Sequence, residues 1–305
     1  MTDDGQATDL SPARIAAAID RIDPAFLGTP QFASEQLSAV MQRDVVVKNE
    51  TVTPIGSFKG RGAWLLAERL DPTLSWVCWT AGNFGQGLAY AARARGAAVE
   101  AFVAVDVPAA KIAGMRALGA NVHVSERPGE AAREHAAQDD RLFVLDGLYP
   151  EMPEGAGTIG LELEALGPID LAVVQIGDGA LISGIACWLK HAMPGTRVVG
   201  VCASGAPAMA RSFAAGRVVS TPGTETIATA LAISEPIPAS FARVAALVDD
   251  IVLVDEDDLR AAQELIRETL DVAVEPAGAA GVAALARHGA RLPPGRTAVV
   301  LTGAG

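Results

Sequence analysis

The stretch LAVVQIGDGALISGIACWLK (171–190) decides how the whole chain is read. It opens with an apolar, β-branched run and turns through Gly177, Asp178 and Gly179. It then continues with apolar residues recurring at three- and four-residue steps, the spacing of a helix. Strand, tight glycine turn and helix in that order make one βα unit.

The same alternation extends in both directions. Strand-like runs stand at DVVV (44–47), LSWVCW (74–79), VEAFVAV (99–105), NVHV (121–124) and LFVL (142–145). Beyond the deciding stretch come RVVGVC (197–202), IVLV (251–254) and AVVLT (298–302). Helical patterns lie between them, over 63–70, 87–95, 109–118, 181–191 and 259–269. Such a series predicts parallel sheets covered by helices on both faces. There are more strands than one compact sheet needs, so two packed α/β domains are expected. Open sheets of this kind bind ligands at the carboxyl ends of their strands, which directs attention to the loops that follow strands.

Bulk composition narrows the function classes. Half of the 305 residues are hydrophobic and 20% are charged, a globular balance. Acidic groups exceed basic ones by 36 − 24 = 12, so nucleic acid and anionic membrane are poor partners. No apolar run is long enough to span a bilayer, and the start MTDDGQATDLS lacks the basic and apolar parts of a signal peptide. A cytoplasmic protein is the default expectation. Cys78, Cys187 and Cys202 are an odd, well-separated set, expected to be buried as small hydrophobes. The histidines at 123, 135, 191 and 288 are scattered and show no metal-ligand spacing, so ordinary surface or core roles are expected.

Four loops carry chemistry-bearing residues. In TPIGSFKGRGA (53–63), Ser57 reads as an N-cap that places Phe58, Lys59 and Gly60 in a first helical turn. A lysine at a helix start opposes the helix dipole, and burial in this partly apolar loop is expected to lower its pKa. A free amine is what imine formation with an aldehyde requires. By itself the motif favours a solvated lysine at a helix start. TAGNFGQG (80–87) follows a strand, its glycines admit close approach, and Asn83 can donate and accept. A plain turn capped by Asn83 is the alternative. Backbone amides of Gly177, Asp178, Gly179, Ala180 and Leu181 form a nest at a helix start, suited to a phosphate. A dinucleotide fits badly, since Ile182 stands where the G-x-G-x-x-G fingerprint needs glycine. Asp178 is an awkward neighbour for an anion, and its side chain is expected to point away. Thr302 ends the last strand with a hydroxyl that could meet a ring nitrogen, or could be an ordinary strand end.

Taken in this order, GSFKGRGA, TAGNFGQG and GDGALISG resemble the motifs of fold-type II pyridoxal-phosphate (PLP) enzymes, most closely the serine/threonine dehydratase group. GTIGLELE (157–164), TIATALAI (226–233) and VEPAGAAG (274–281) match further parts of that pattern, and the likeness runs from about Thr29 to Gly305. The resemblance implies two open twisted parallel-sheet domains, a small one (72–151) inserted in a large PLP-binding one (1–71 and 152–305). It implies that Lys59 holds PLP as a Schiff base with Phe58 beside the ring. Asn83 would bond the ring's 3-oxygen, the amides of 177–181 the phosphate, and Thr302 the pyridine nitrogen. Thr80, Ala81, Gly82, Asn83 and Phe84 would form the substrate-binding loop. A neutral hydroxyl at the ring nitrogen makes a weak electron sink, which suits β-elimination.

The implied activity is an ammonia-lyase converting a β-hydroxy amino acid such as threonine or serine to a 2-oxo acid and ammonia, in a homodimer. A β-replacement synthase or a threonine synthase-like enzyme is the nearest alternative, and a catalytically silent PLP-binding protein is one of another class. A nicotinamide oxidoreductase stands third. This chain departs from the dehydratase pattern at several places. Phe84 stands where histidine is frequent, and Asp178 and Ala180 dilute the glycines of the phosphate loop. Ala81 occupies the position of the second base of serine racemases, which disfavours racemisation. Cys202 and Ala208 replace the two carboxylates with which some relatives hold a divalent cation, so no metal is expected there. The chain stops at Gly305, so no C-terminal regulatory domain is expected.

Overall fold

A computed structural model describes residues 8–138 and 140–305. The strands are β1 (Gln31–Ala33), β2 (Val45–Asn49), β3 (Ser75–Trp79), β4 (Val99–Val103) and β5 (Asn121–Val124). They continue with β6 (Arg141–Phe143), β7 (Leu171–Gln175), β8 (Arg197–Ala203), β9 (Asp250–Val254) and β10 (Thr297–Leu301). Two sheets result. The six-stranded one has the order β1-β2-β10-β7-β8-β9 and draws on both ends of the chain, and the four-stranded one has the order β5-β4-β3-β6. Every pairing is parallel except that of β1 with β2. This is the expected α/β class. The strand runs read from the sequence all lie on β2 to β10.

The antiparallel edge strand β1 was not foreseen. It is three residues long, and Phe32 is 37% exposed, so it offers neither an apolar run nor an alternation to detect. Central strands β2, β7 and β10 are buried along their whole length, which explains why they read as continuous apolar runs.

Helix starts fall earlier than apolar periodicity placed them. The helices run Lys59–Arg69 and Asn83–Arg95, because their first turns face the space between the sheets and carry polar and glycine residues rather than core ones. The Lys59–Arg69 helix lies close against the helix Glu151–Glu164. A Cβ on Gly62 would come within 2.6 Å of the Met152 carbonyl oxygen, and one on Gly155 within 2.5 Å of the Gly62 Cα. Only glycine permits that backbone approach.

Beneath this contact lies a buried ionic network. Arg61, fully buried, donates to Glu50 (2.8 and 2.9 Å), to Glu162 (2.7 and 3.0 Å) and to Thr158 (2.9 Å). Lys48 adds a second cation against Glu162. The partners Thr158 and Glu162 belong to GTIGLELE, so that motif braces the helix that begins at Lys59.

All three cysteines are free and buried, and burial pushes the Cys78 and Cys202 thiols up to about 12. No described helix is long and apolar enough to cross a membrane.

Candidate active site

A cleft of about 690 Å³ opens between the two sheets. Residues that follow four parallel strands face it: Thr80 after β3, Asp146 after β6, Gly177 after β7 and Thr302 after β10. This is the crevice that strand direction predicts. Lys59 and Phe58 line it, as do Asn83, Gly179 and Leu181. So do Ala81, Gly82, Phe84 and Asp178. Of the expected site residues only Ala180 is absent from the wall, since it is buried in the first turn behind it.

Lys59 is the first residue of its helix, but Ser57 is not its cap. Residue 58 takes the cap position without a side-chain bond, and the Ser57 hydroxyl makes only a long 3.4 Å contact with the Lys59 amide. Ser57 is held back because it forms a bridge with Gly303, and the Phe58 amide donates to the Thr302 carbonyl at 3.2 Å. The lysine loop is thereby pinned to the last strand.

The electrostatics of Lys59 differ from expectation. Its Nζ donates to Asp146 Oδ2 at 2.5 Å and to Asp178 Oδ2 at 2.7 Å. Burial alone favours the neutral amine, but the two carboxylates outweigh it and hold the lysine above its ordinary value. Asp178 therefore does not turn away from the cleft. One carboxylate oxygen meets Lys59, and the other accepts from the Ala180 amide at 2.7 Å, filling part of the nest. Burial, with the neighbouring Asp178 charge, raises Asp146 well above the carboxylate range, whereas Lys59 and Asp146 keep Asp178 ionised despite its burial.

Asn83 opens its helix behind Gly82, whose φ of 130° makes the turn. Its Nδ2 donates to Glu275 Oε1 at 2.7 Å, and Lys111 Nζ donates to Glu275 Oε2 at 2.5 Å. The Thr80 hydroxyl accepts from the amides of Gly82 (2.9 Å) and Gly85 (3.1 Å), so it stiffens the loop. Phe84, 3% exposed, is part of the small sheet's core and also lines the cleft.

Thr302 Oγ1 accepts from Gln175 Nε2 at 2.9 Å. Its own hydrogen is therefore free to donate, while Gln175 Oε1 is buried with no partner. Gly179, at φ 97°, starts the helix Ala180–Ala192, whose first-turn N–H groups lack intrahelical acceptors.

Sequence reading missed Asp146, Glu275, Lys111 and Gln175. Asp146 directly follows the apolar run LFVL (142–145), and Glu275 lies inside VEPAGAAG, so both had a usable signal. Lys111 sits in an unremarkable helix, and nothing in its neighbourhood marked it.

The chain matches the family described as pyridoxal-phosphate dependent enzymes over residues 22–303. It is 34% identical over 260 residues to an L-threonine ammonia-lyase of Thermotoga maritima, an alignment covering 83% of this chain and 65% of that protein. The chain thus spans less than two-thirds of that relative's length. It is also 34% identical to a serine racemase of Arabidopsis thaliana over 288 residues, covering 92% of this chain and 87% of the racemase. Among solved structures, a T.th. threonine deaminase superposes with a TM-score of 0.86 at 31% identity, covering 96% of this chain and 97% of the other. With a match over most of its length and the cleft built from the expected loops, the chain belongs to the family of pyridoxal-phosphate dependent enzymes.

Proposed function

We propose that this chain is an ammonia-lyase that removes the β-hydroxyl of a hydroxy amino acid and releases a 2-oxo acid and ammonia. The observation that carries the reading is the placement of the Lys59 amine in the cleft at the carboxyl ends of β3, β6, β7 and β10, between Asp146 and Asp178.

The donor set fits pyridoxal phosphate, the family's cofactor. Lys59 supplies the amine for its aldehyde, the first turn after Gly179 supplies N–H groups for its phosphate, and Thr302 offers a free hydroxyl hydrogen to its ring nitrogen. Asp178 is the misfit: its carboxylate must release both Lys59 and the Ala180 amide before a phosphate can share the turn. When bound, the cofactor supplies an electron sink for charge left at the substrate Cα.

The chain's own groups divide the remaining work. Lys59, released as a neutral amine, is the base within reach of a Cα proton. Asp146, which accepts from the Lys59 amine at 2.5 Å, is the nearby carboxyl with which that amine can exchange a proton. Asn83, fixed by Glu275, orients oxygen atoms of the bound molecules, and the first-turn amides behind Gly82 face an incoming carboxylate. Leu145, Ile233 and Ile237 form an apolar wall that suits a β-substituent larger than hydrogen. Ala81 offers no proton on the loop where a racemase reading needs a second base, which supports elimination. A homodimer is proposed on the family resemblance.

The test is a panel of serine, threonine, 3-hydroxyaspartate and phenylserine, assayed for 2-oxo acid, ammonia and change of chirality. A visible absorption band that needs Lys59 is expected, with keto acid from one hydroxy amino acid. A band without keto acid from any of them would refute the lyase reading and favour replacement chemistry. Racemised amino acid as the main product would refute it too.

A further inference from the structure

We propose a divalent transition-metal site, suited to Zn²⁺, formed by Glu100, His123 and His135 on the four-stranded sheet. One ligand atom from each of the three lies within 4.8 Å of the others. The spacing 100, 123 and 135 shows nothing in sequence, because three different elements contribute one residue each.

The geometry follows from register. Glu100 pairs with Asn121, and Phe102 with His123, across β4 and β5. Alternation along each strand then places Glu100, Phe102 and His123 on one face. The helix Pro128–Ala136 covers that face and brings His135 in its last turn. Glu100 Oε2 lies 2.5 Å from His123 Nε2 and 3.7 Å from His135 Nε2. Ligands around a tetrahedral zinc ion stand about 3.3 Å apart, given metal–ligand bonds of roughly 2.0 Å.

Several features prepare the group for an ion rather than for a plain ion pair. His135 Nε2 is buried and has no hydrogen-bond partner, although it points at Glu100. Arg141 does not occupy the space, since its Nη1 is bound to the His135 carbonyl (2.9 Å) and to Gln138 Oε1 (2.6 Å). Asn121 Nδ2 donates to Glu100 Oε2 at 2.9 Å, and the Phe102 ring stacks on His123 with centroids 4.6 Å apart. Such outer contacts fix ligand orientation. The side chains keep 20–34% exposure, so an ion can enter and retain a water as its fourth ligand.

A bound ion would fasten the Pro128–Ala136 helix to β4 and β5. The same helix carries Arg133 to the rim of the cleft, so occupancy stiffens one edge of the active site.

The test uses the PLP-loaded enzyme, stripped by a chelator and titrated with zinc chloride in a calorimeter. One saturable site per chain is expected. Its affinity should fall by roughly 100-fold or more in His135→Ala and Glu100→Gln, beyond the cost of losing an outer contact. Zinc should raise the thermal midpoint of the wild type and leave those variants unmoved. The visible cofactor band reports whether each variant is folded. Should a variant unfold, the cobalt(II) spectrum of the wild type decides alone: intense tetrahedral bands support the site, and the pale spectrum of hydrated cobalt overturns it. Zinc uptake by the wild type no greater than by His135→Ala also overturns it.

Discussion

Asp178 Oδ2 lies 2.7 Å from Lys59 Nζ, so the turn that offers amides to a phosphate also carries the counter-ion of the lysine. With Asp146 on its other side, Lys59 is held as an ammonium. Cofactor capture then competes with an ion pair, and the sign of the pH effect follows. A raised lysine value means that less free amine exists at neutral pH, so PLP uptake should accelerate as pH rises.

Asp178→Asn removes one of the two opposing charges. Its PLP-uptake profile should move to lower pH by roughly 1–3 units, and cofactor affinity should increase. Stopped-flow absorbance across a pH series checks this. A profile that stays with the wild type would show that Asp178 does not govern the lysine.

Arg61→Met should destabilise the fold by roughly 3–5 kcal/mol, because buried Glu50 and Glu162 would lose their shared cation. Arg61 stands two residues beyond Lys59, yet the loss expected is in thermal midpoint and denaturant resistance. Unchanged stability would mean that Lys48 and water suffice to neutralise the pair.

Thr302→Ala deletes a hydroxyl whose oxygen is already occupied by Gln175. PLP should dissociate about fivefold more readily, near 1 kcal/mol for one neutral hydrogen bond, while Thr302→Ser should behave as wild type. Equilibrium dialysis of the cofactor separates the two. Equal retention in all three proteins would remove Thr302 from the cofactor site.

Gly303→Ala tests the Asn83 loop without replacing any of its residues. The added Cβ would meet Glu275 Oε1 at 2.3 Å and Asn83 Nδ2 at 3.2 Å, so the Glu275–Asn83 bond must open. Activity should fall sharply, with a thermal midpoint near that of the wild type, since the displaced atoms end flexible side chains. Full activity in this variant would show that the Glu275–Asn83 bond does not position the site.

Much of this protein was legible in the chain itself. β7 and its glycine turn could be read because a buried parallel strand must be apolar on both faces, and because a turn that feeds a helix needs residues free of side-chain constraint. Lys59, Asn83 and Thr302 were legible because each stands in a loop directly beyond a strand or opening a helix. That Phe84 packs into the small sheet's core could not be read along the chain, since such packing is not a local property.

Local order thus determined the α/β class, the parallel strands and which loops meet at the cleft. Tertiary structure alone decided which charges face each other there. Asp146 and Asp178 are 32 residues apart in number, and 87 and 119 residues separate them from Lys59. Glu275 meets Asn83 across 192 residues, and Glu100 meets two histidines through strand register and a covering helix. Helix and strand periodicity are short-range consequences of backbone geometry and can be read along the chain. Ion pairs form between surfaces that the chain brings together only after its sheets have assembled, so their partners, and the direction in which they shift the lysine, appear only in the fold.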